Sequence, residues 1–588
     1  MTESRARLCM LLVATIAVAA STIHLAGAQQ PNSGKRRFIV VAKSAADVDA
    51  LRADVASAGG TVVREMTQID AFVVSGPATL RSRLQQSAFA SGVAADGIKR
   101  IIQGRQAREM LNQGSSPHAP LGDRPGRRAV TGDPAFGLSG LMWNLNRIDA
   151  PNAWRTTLGS GAVTVGVADT GLDFTHSELA GRIVDVVDFT TTEDPPICST
   201  FFGASDADLA AAYGGPEKTD WNGHGSWIGG TIAAELDRLG TNGIAPKVKL
   251  VALKISQWCG AAYDSELIDA FLYAADHNID VVNISFGGYT DRADPDQEVI
   301  YQQYVASVRY ARRHGTVIVA ASGNEHVRIG DGGRVLSHGS LTLPGDPLSD
   351  LFGLYETPGG IPGVIDVAAT NNIVNGSSTF CAPGTFENAT AVCKPASDAH
   401  QAKGVGLQNQ LSYYSNYGPR IDVAAPGGAR KFNLPNFDRG GTPGWPYTDA
   451  DGFNVWEAFS ITSNWAFEIP CFLIGGDGFP DPPQCYSSIQ GTSMAAPHVV
   501  GVLALIASAN RDLRHRPREL VEELLESATP AHNKTQPLSA TDTSPGDLTG
   551  VACATGYCHL GGLAIDDGDA YGAGVINAAN AVSNNHDH

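Results

Sequence analysis

The sequence predicts an α/β protein, built on a doubly wound, mostly parallel sheet flanked by helices and preceded by a small α+β unit. Three observations carry this. Continuous apolar runs recur at residues 163–168, 248–255, 280–285 and 316–321, and patterns of helical period fill the intervals, as at 265–277 and 298–314. Strands that are apolar on both faces belong to sheets covered on both sides, and strands alternating with helices wind such a sheet in parallel. With 588 residues the chain exceeds one ordinary domain; 43% hydrophobic and 17% charged residues supply a core and exclude disorder.

Residues 1–28 read as a secretory signal. Arg5 and Arg7 precede an apolar run from Leu8 to Ala20, and Ala26, Gly27 and Ala28 offer a small-residue cleavage site. That run is short for a spanning helix, and no later stretch is read as apolar enough to cross a bilayer.

Residues 29–102 form the small unit. Phe38 to Ala42 reads as a strand, 45–58 as a helix stopped by Gly59 and Gly60, and 61–63 and 71–74 as further strands. Residues 103–135 carry no periodicity and read as a linker open to proteolysis. Residues 136–588 hold the large α/β domain, with expected surface insertions at 371–410 and 429–486, rich in Gly, Pro, Asn and aromatics.

Charge divides along the same boundary. Residues 29–130 contain 15 Lys and Arg against 8 Asp and Glu, a net of +7; residues 1–28 carry +1, so the total of −18 leaves about −26 for the remainder. The two parts attract each other, and an acidic domain is a poor nucleic-acid binder. Beyond Cys9, eight cysteines remain, an even count that suggests disulfides in an exported chain. About 105 pairings are open; neighbours are expected to pair, 198 with 259, 381 with 393, 471 with 485 and 553 with 558. Paired CxxC spacing is absent, which argues against a metal cluster.

Covalent hydrolysis of an amide needs a hydroxyl nucleophile, a base, a group to orient the base, and donors aimed at the oxyanion. The run Val163-Thr-Val-Gly-Val-Ala-Asp169-Thr-Gly171 ends an apolar strand on a carboxylate. Asp220-Trp-Asn-Gly-His224-Gly-Ser226 sets a histidine between glycines just before a helical run. Gly491-Thr-Ser493-Met-Ala-Ala-Pro-His498 opens another helix with a serine. Sites in open α/β sheets lie beyond the carboxyl ends of strands.

Taken together and in that order, these blocks resemble the subtilase family. The resemblance implies that Asp169 orients the imidazole, His224 is general base and then acid, and Ser493 is the nucleophile. The order separates the site from chymotrypsin-like enzymes and from lipases. Val317-Ile-Val-Ala-Ala-Ser-Gly-Asn324 resembles the strand ending in the family's oxyanion asparagine, so Asn324 is expected to donate alongside the Ser493 N–H. Ser285, Phe286, Gly287 and Gly288 resemble one backbone rail for an extended substrate, and Gly260, Ala261 and Ala262 the other.

The resemblance extends through Trp143 to Trp154, Ile421 to Gly427 and Tyr571 to Asn577, and residues 38–102 resemble the family's inhibitor-type propeptide. It implies a secreted, monomeric, self-processing zymogen that cuts protein or peptide substrates and is inhibited by its own propeptide. No nucleic acid or membrane partner is expected after signal removal. The chemistry implies no cofactor. Family members often bind structural calcium, for which Glu178 is one candidate ligand without a full set. Ser226, Trp227 and Ser322 depart from common family residues without removing a catalytic atom, and the stretch from Cys198 to Pro216 enlarges the loop between Asp169 and His224. An esterase or peptide ligase would use the same acyl-enzyme, and a silenced scaffold would keep the same residues.

Overall fold

A computed structural model describes residues 35–101, 142–237, 239–337, 350–371, 374–375, 379–382, 392–395, 411–412, 414–428, 458–469, 471–474, 482–532 and 565–583. The expected signal, the linker 103–135, most of 371–410 and Cys553 and Cys558 lie outside these residues.

Seven parallel strands form the central sheet, in the spatial order Val423–Pro426, Ile365–Thr370, Val317–Ala321, Val281–Ile284, Thr164–Asp169, Lys249–Lys254 and Ile183–Asp188. Successive side chains of a strand point to opposite faces, and in every strand but the edge strand Ile183–Asp188 both faces are dry. Val165, Val167, Val317, Val319 and Ala321 join a core with the helices His224–Ala233 and Thr492–Ala509. Ala168, Ile318 and Ala320 join a second core with Asp264–Asp276 and Pro295–Arg313. Burial on both sides is why these strands are apolar without alternation.

The N-terminal unit is a four-stranded antiparallel sheet in the order Thr61–Met66, Ala71–Pro77, Lys35–Ala42 and Ala90–Ala95. Phe38, Val40, Phe72 and Val74 pack on its own helices through Leu51, Val55, Leu80 and Leu84. Their neighbours Ile39, Val41 and Val73 face the other way and belong to the second core of the large domain.

Complementary charge ties the seam, as the sequence led us to expect. Arg37 is buried and donates to Asp96 (2.7 Å), Ser265 Oγ (2.9 Å) and the Thr192 carbonyl (2.6 Å). Arg64 meets Asp269 at 2.8 Å, Lys35 meets Asp194 at 3.1 Å, and Arg81 pairs with Asp296. The Asp96 carboxylate accepts from the Ser265 N–H at 3.0 Å, satisfying an N-terminal donor of the helix Asp264–Asp276 from the other unit.

Two expectations need correction. Part of the segment 429–486 is interior rather than surface. Ala458–Ile461, Phe472–Ile474 and Gln484–Ile489 form an antiparallel sheet; Ala458, Phe459, Ile461 and Tyr486 are buried in the first core, and Trp227 Nε1 donates to the Ser487 carbonyl at 3.2 Å. Its polar composition hid the alternation because Ser460, Ser487 and Ser488 are also buried. A later stretch apolar enough to span a bilayer does exist: Thr492–Ala509 passes by length and composition, and 89% of it is buried inside the fold, as a core helix must be.

Two expected disulfides are present, Cys198–Cys259 and Cys471–Cys485. Cys381 and Cys393 lie opposite each other in adjacent antiparallel strands.

Candidate active site

Asp169 is the last residue of the strand Thr164–Asp169, and its side chain is buried. Its Oδ1 accepts from the Thr170 N–H at 2.8 Å and lies 2.8 Å from His224 Nδ1. An ionised carboxylate at that distance keeps the proton on Nδ1 and leaves Nε2 as the basic nitrogen. Nε2 is buried and meets no hydrogen-bond partner among the described residues.

The backbone around His224 explains the flanking glycines. Gly223 sits at φ +103°, where L side chains are strained, and a Cβ there would press on Thr462 Oγ1 and Ala466. A Cβ on Gly225 would collide with the Gly171 carbonyl, so the histidine turn lies directly on the turn after Asp169. Asp220 organises this junction, a role the sequence reading did not assign. Its carboxylate accepts from the N–H groups of Gly223 (2.8 Å) and Ser226 (2.7 Å) and from the Thr170 hydroxyl (2.8 Å). Burial raises its pKa, opposed by the Gly223 N–H and Lys254. Burial alone would lower the Lys254 ammonium, but Asp206, 2.8 Å away, and Asp188 raise it. Lys254 also donates to the Thr170 and Thr219 carbonyls.

Ser493 is the second residue of the helix Thr492–Ala509. Asn324 follows the strand Val317–Ala321, two strands from Asp169 in the sheet. Its Oδ1 accepts from the Thr492 N–H (2.9 Å) and hydroxyl (3.0 Å). Because a peptide N–H can only donate, the oxygen must face Thr492, and the amide nitrogen stands 3.8 Å from where a Cβ on Gly491, just before the helix, would be. The loop beneath is tied by Asn416, which donates to the Ser322 carbonyl at 2.6 Å, and by Glu325, which accepts from Tyr289 at 2.6 Å and the Asn324 N–H at 2.9 Å. Ser285 Oγ donates to the Ser493 carbonyl at 3.2 Å, fastening one predicted rail to the helix start.

The two rails flank one strand. Ser285 leads into Phe286–Thr290, and Gly260 leads into Ala261–Tyr263; between them runs Ile98–Ile101, antiparallel to both. Ile101 is in register with Phe286, Arg100 with Gly287 and Ala261, and Lys99 with Ala262. The Ile101 N–H donates to the Gly260 carbonyl at 3.0 Å. Phe286, Ala261 and Ala262 are fully buried, so backbone does the pairing. The strand itself was not singled out in the sequence, where only Ile-Lys-Arg-Ile marks it.

Glu178, the calcium candidate, is buried with Oε1 accepting from Tyr486 at 2.8 Å, and burial holds its pKa well above the usual range. Among the described residues no group of three or more His, Cys, Asp or Glu side chains is placed to hold a metal. The enlarged loop forms the helices Ile197–Phe202 and Asp206–Tyr213, whose Leu209 packs with Trp221 and Trp258 beside the Cys198–Cys259 bond.

A seven-stranded parallel α/β sheet with a buried carboxylate–imidazole pair and a serine at a helix start beyond its strand ends defines a subtilisin-like fold. The subtilase family profile matches residues 160–546, and the chain belongs to that family. It is 26% identical over 361 residues to a thermophilic serine proteinase of Bacillus sp. (strain AK1), covering 61% of this chain and 56% of that protein, so it spans little more than half of that relative. Thermitase of Thermoactinomyces vulgaris is 25% identical over 380 residues, 64% of this chain and 86% of thermitase. Among solved structures, the epidermin leader peptide processing serine protease of Staphylococcus aureus aligns with a TM-score of 0.57 at 17% identity, over 95% of this chain and all of that one. Fervidolysin from Fervidobacterium pennivorans aligns with a TM-score of 0.53 at 19% identity, over 94% and 62%.

Proposed function

We propose that the chain is a secreted serine endopeptidase, made as a zymogen that processes itself. The observation that carries the reading is the 2.8 Å Asp169–His224 contact, set in the same sheet that leads to Asn324 and the Ser493 helix. In this reading Ser493 Oγ attacks the carbonyl carbon of the scissile peptide while His224 Nε2 takes its proton. The carbonyl oxygen becomes an oxyanion held by the Asn324 amide and the Ser493 N–H. His224 passes the proton to the leaving amine, the C–N bond breaks, and an acyl-enzyme remains. Water then adds by the same steps, its proton going to His224 and returning to Ser493 as the acid leaves. Asp169 stays ionised and stabilises the imidazolium.

The strand Ile98–Ile101 supports the zymogen reading, since it lies between the rails where an extended substrate would lie. Residues 29–102 then act as an intramolecular inhibitor, and the cut falls in 103–135, which the chain enters just beyond Ile101. Substrates would be protein or peptide segments able to add as a strand, met by a monomer. Export rests on the signal-like N-terminus and two disulfides; a relative named the major intracellular serine protease of Bacillus subtilis shows that the family also works inside cells.

Reaction with a fluorophosphonate and mass spectrometry of the secreted chain test this together. We expect the unaltered protein to be labelled at Ser493 and to lose its N-terminal unit, and Ser493→Ala to do neither. Equal loss of that unit from both chains in a protease-free host would exclude self-processing, and an unlabelled, inactive chain would exclude the peptidase.

A further inference from the structure

We propose that Asp264 makes the cleft select a cationic side chain, lysine first, at the substrate position that Lys99 occupies. This rests on the peptidase reading and adds a specificity that the rails alone do not supply, since backbone pairing accepts any side chain.

Side chains alternate along an extended strand, so Lys99 and Ile101 point to one side of the tail and Arg100 to the other. Ile101 lies against Gly260, where a Cβ would meet its side chain, while the Arg100 guanidinium stands over the Phe202 ring at 5.4 Å. Lys99 goes inward. Its side chain is 10% exposed, and its Nζ lies 3.6 Å from Asp264 Oδ1 and 3.4 Å from Thr290 Oγ1. Its Cδ runs along Gly288 of the rail, 3.5 Å from where a Cβ would stand, so the methylene stem lies in van der Waals contact with that backbone.

The receiving end belongs to the enzyme. Asp264 begins the helix Asp264–Asp276, its side chain is 4% exposed, and its Oδ1 also accepts from the Tyr304 hydroxyl at 2.7 Å. Thr290 is held in turn by Thr357, with 2.9 Å between the hydroxyl oxygens. A buried carboxylate with one neutral donor is poorly compensated unless a cation joins it. In this structure the propeptide supplies that cation; once the tail is gone, a substrate lysine would. A side chain of the same shape without the ammonium would leave Asp264 facing apolar carbon, and an acidic one would be repelled.

The test uses the protein recovered from full-chain expression and a quenched fluorogenic decapeptide with the sequence of residues 96–105. In its variants the lysine is replaced by norleucine, arginine or glutamate. We expect kcat/KM to fall roughly 10- to 100-fold from lysine to norleucine, less for arginine and more for glutamate. In Asp264→Asn the lysine–norleucine ratio should fall to below about 3. Equal rates for lysine and norleucine, or a preference that survives Asp264→Asn, would overturn the proposal. If Asp264→Asn does not fold, the norleucine and glutamate comparisons on the unaltered protein decide. Fluorophosphonate labelling separates the two readings. A labelled enzyme that ignores the charge at this position, or cuts none of the series, refutes only the selectivity; an unlabelled, inactive one refutes the peptidase.

Discussion

Thr492 grips Asn324 by its carbonyl oxygen, with the N–H at 2.9 Å and the hydroxyl at 3.0 Å, so the amide NH2 is aimed before any substrate arrives. Preorganised donors stabilise developing charge because no reorganisation is needed at the moment of reaction. The residue preceding Ser493 thereby orients an amide 168 positions earlier in the chain.

From that contact we expect Asn324→Ala to lower kcat by on the order of 10²-fold with KM little changed, since the donor acts mainly on the transition state. Thr492→Val keeps the N–H and loses only the hydroxyl, so its loss should be smaller, about 10-fold or less. Steady-state kinetics on one peptide check both. A change in KM alone for Asn324→Ala would place the side chain in substrate binding.

The Arg64–Asp269 pair across the seam predicts a pH-dependent penalty. Burial pushes the Asp269 carboxyl up to about 6, against the pull of Arg64. The pair exists only while Asp269 is ionised, so its contribution is present above pH 6 and fades as pH falls through 6. Arg64→Met, in a Ser493→Ala background expected not to cut itself, should lower the melting temperature of the full chain at pH 8. At pH 5 the gap from the parent should close. An undiminished gap at pH 5 would mean that Arg64 acts through packing.

His498 predicts part of the acid limit. It is buried, its Nδ1 lies 2.8 Å from the Met494 carbonyl and its Nε2 2.7 Å from Asn144 Nδ2. Since the amide must donate, Nε2 is the acceptor and Nδ1 carries the proton, so the ring is neutral. Burial lowers its pKa from 6.5 to about 4, partly offset by the Met494 carbonyl. A base depressed in the folded state stabilises the fold above its free pKa, and that stability is lost as pH falls from 6.5 toward 4. The full effect is about 3 kcal/mol. His498→Gln, again with Ser493→Ala, should flatten denaturant stability across that window by up to this amount, and an unchanged slope would assign the acid limit to other groups.

How much was legible depended on how local the cause was. Dry strands such as 163–168 were visible because burial on both faces demands apolar residues in succession. The glycines around His224 were visible because that turn admits no Cβ. Asp220 was not, because what makes it a junction is the hydrogen bond from the Thr170 hydroxyl, 50 positions earlier, which joins its own loop to the turn after Asp169 only in space. The interior sheet of residues 458–489 was hidden by its serines, which folding buries among hydrogen bonds that composition cannot foretell.

Taken alone, the sequence determined the sheet, the family and the chemical types at Asp169, His224, Asn324 and Ser493, because each depends on residue identity and near neighbours. Only the tertiary structure decided that Ile98–Ile101 threads between the rails and that Asp264 meets Lys99. Those relations join segments more than 150 residues apart, and strand pairing and ion pairing over such spans are set by how surfaces pack rather than by any local pattern.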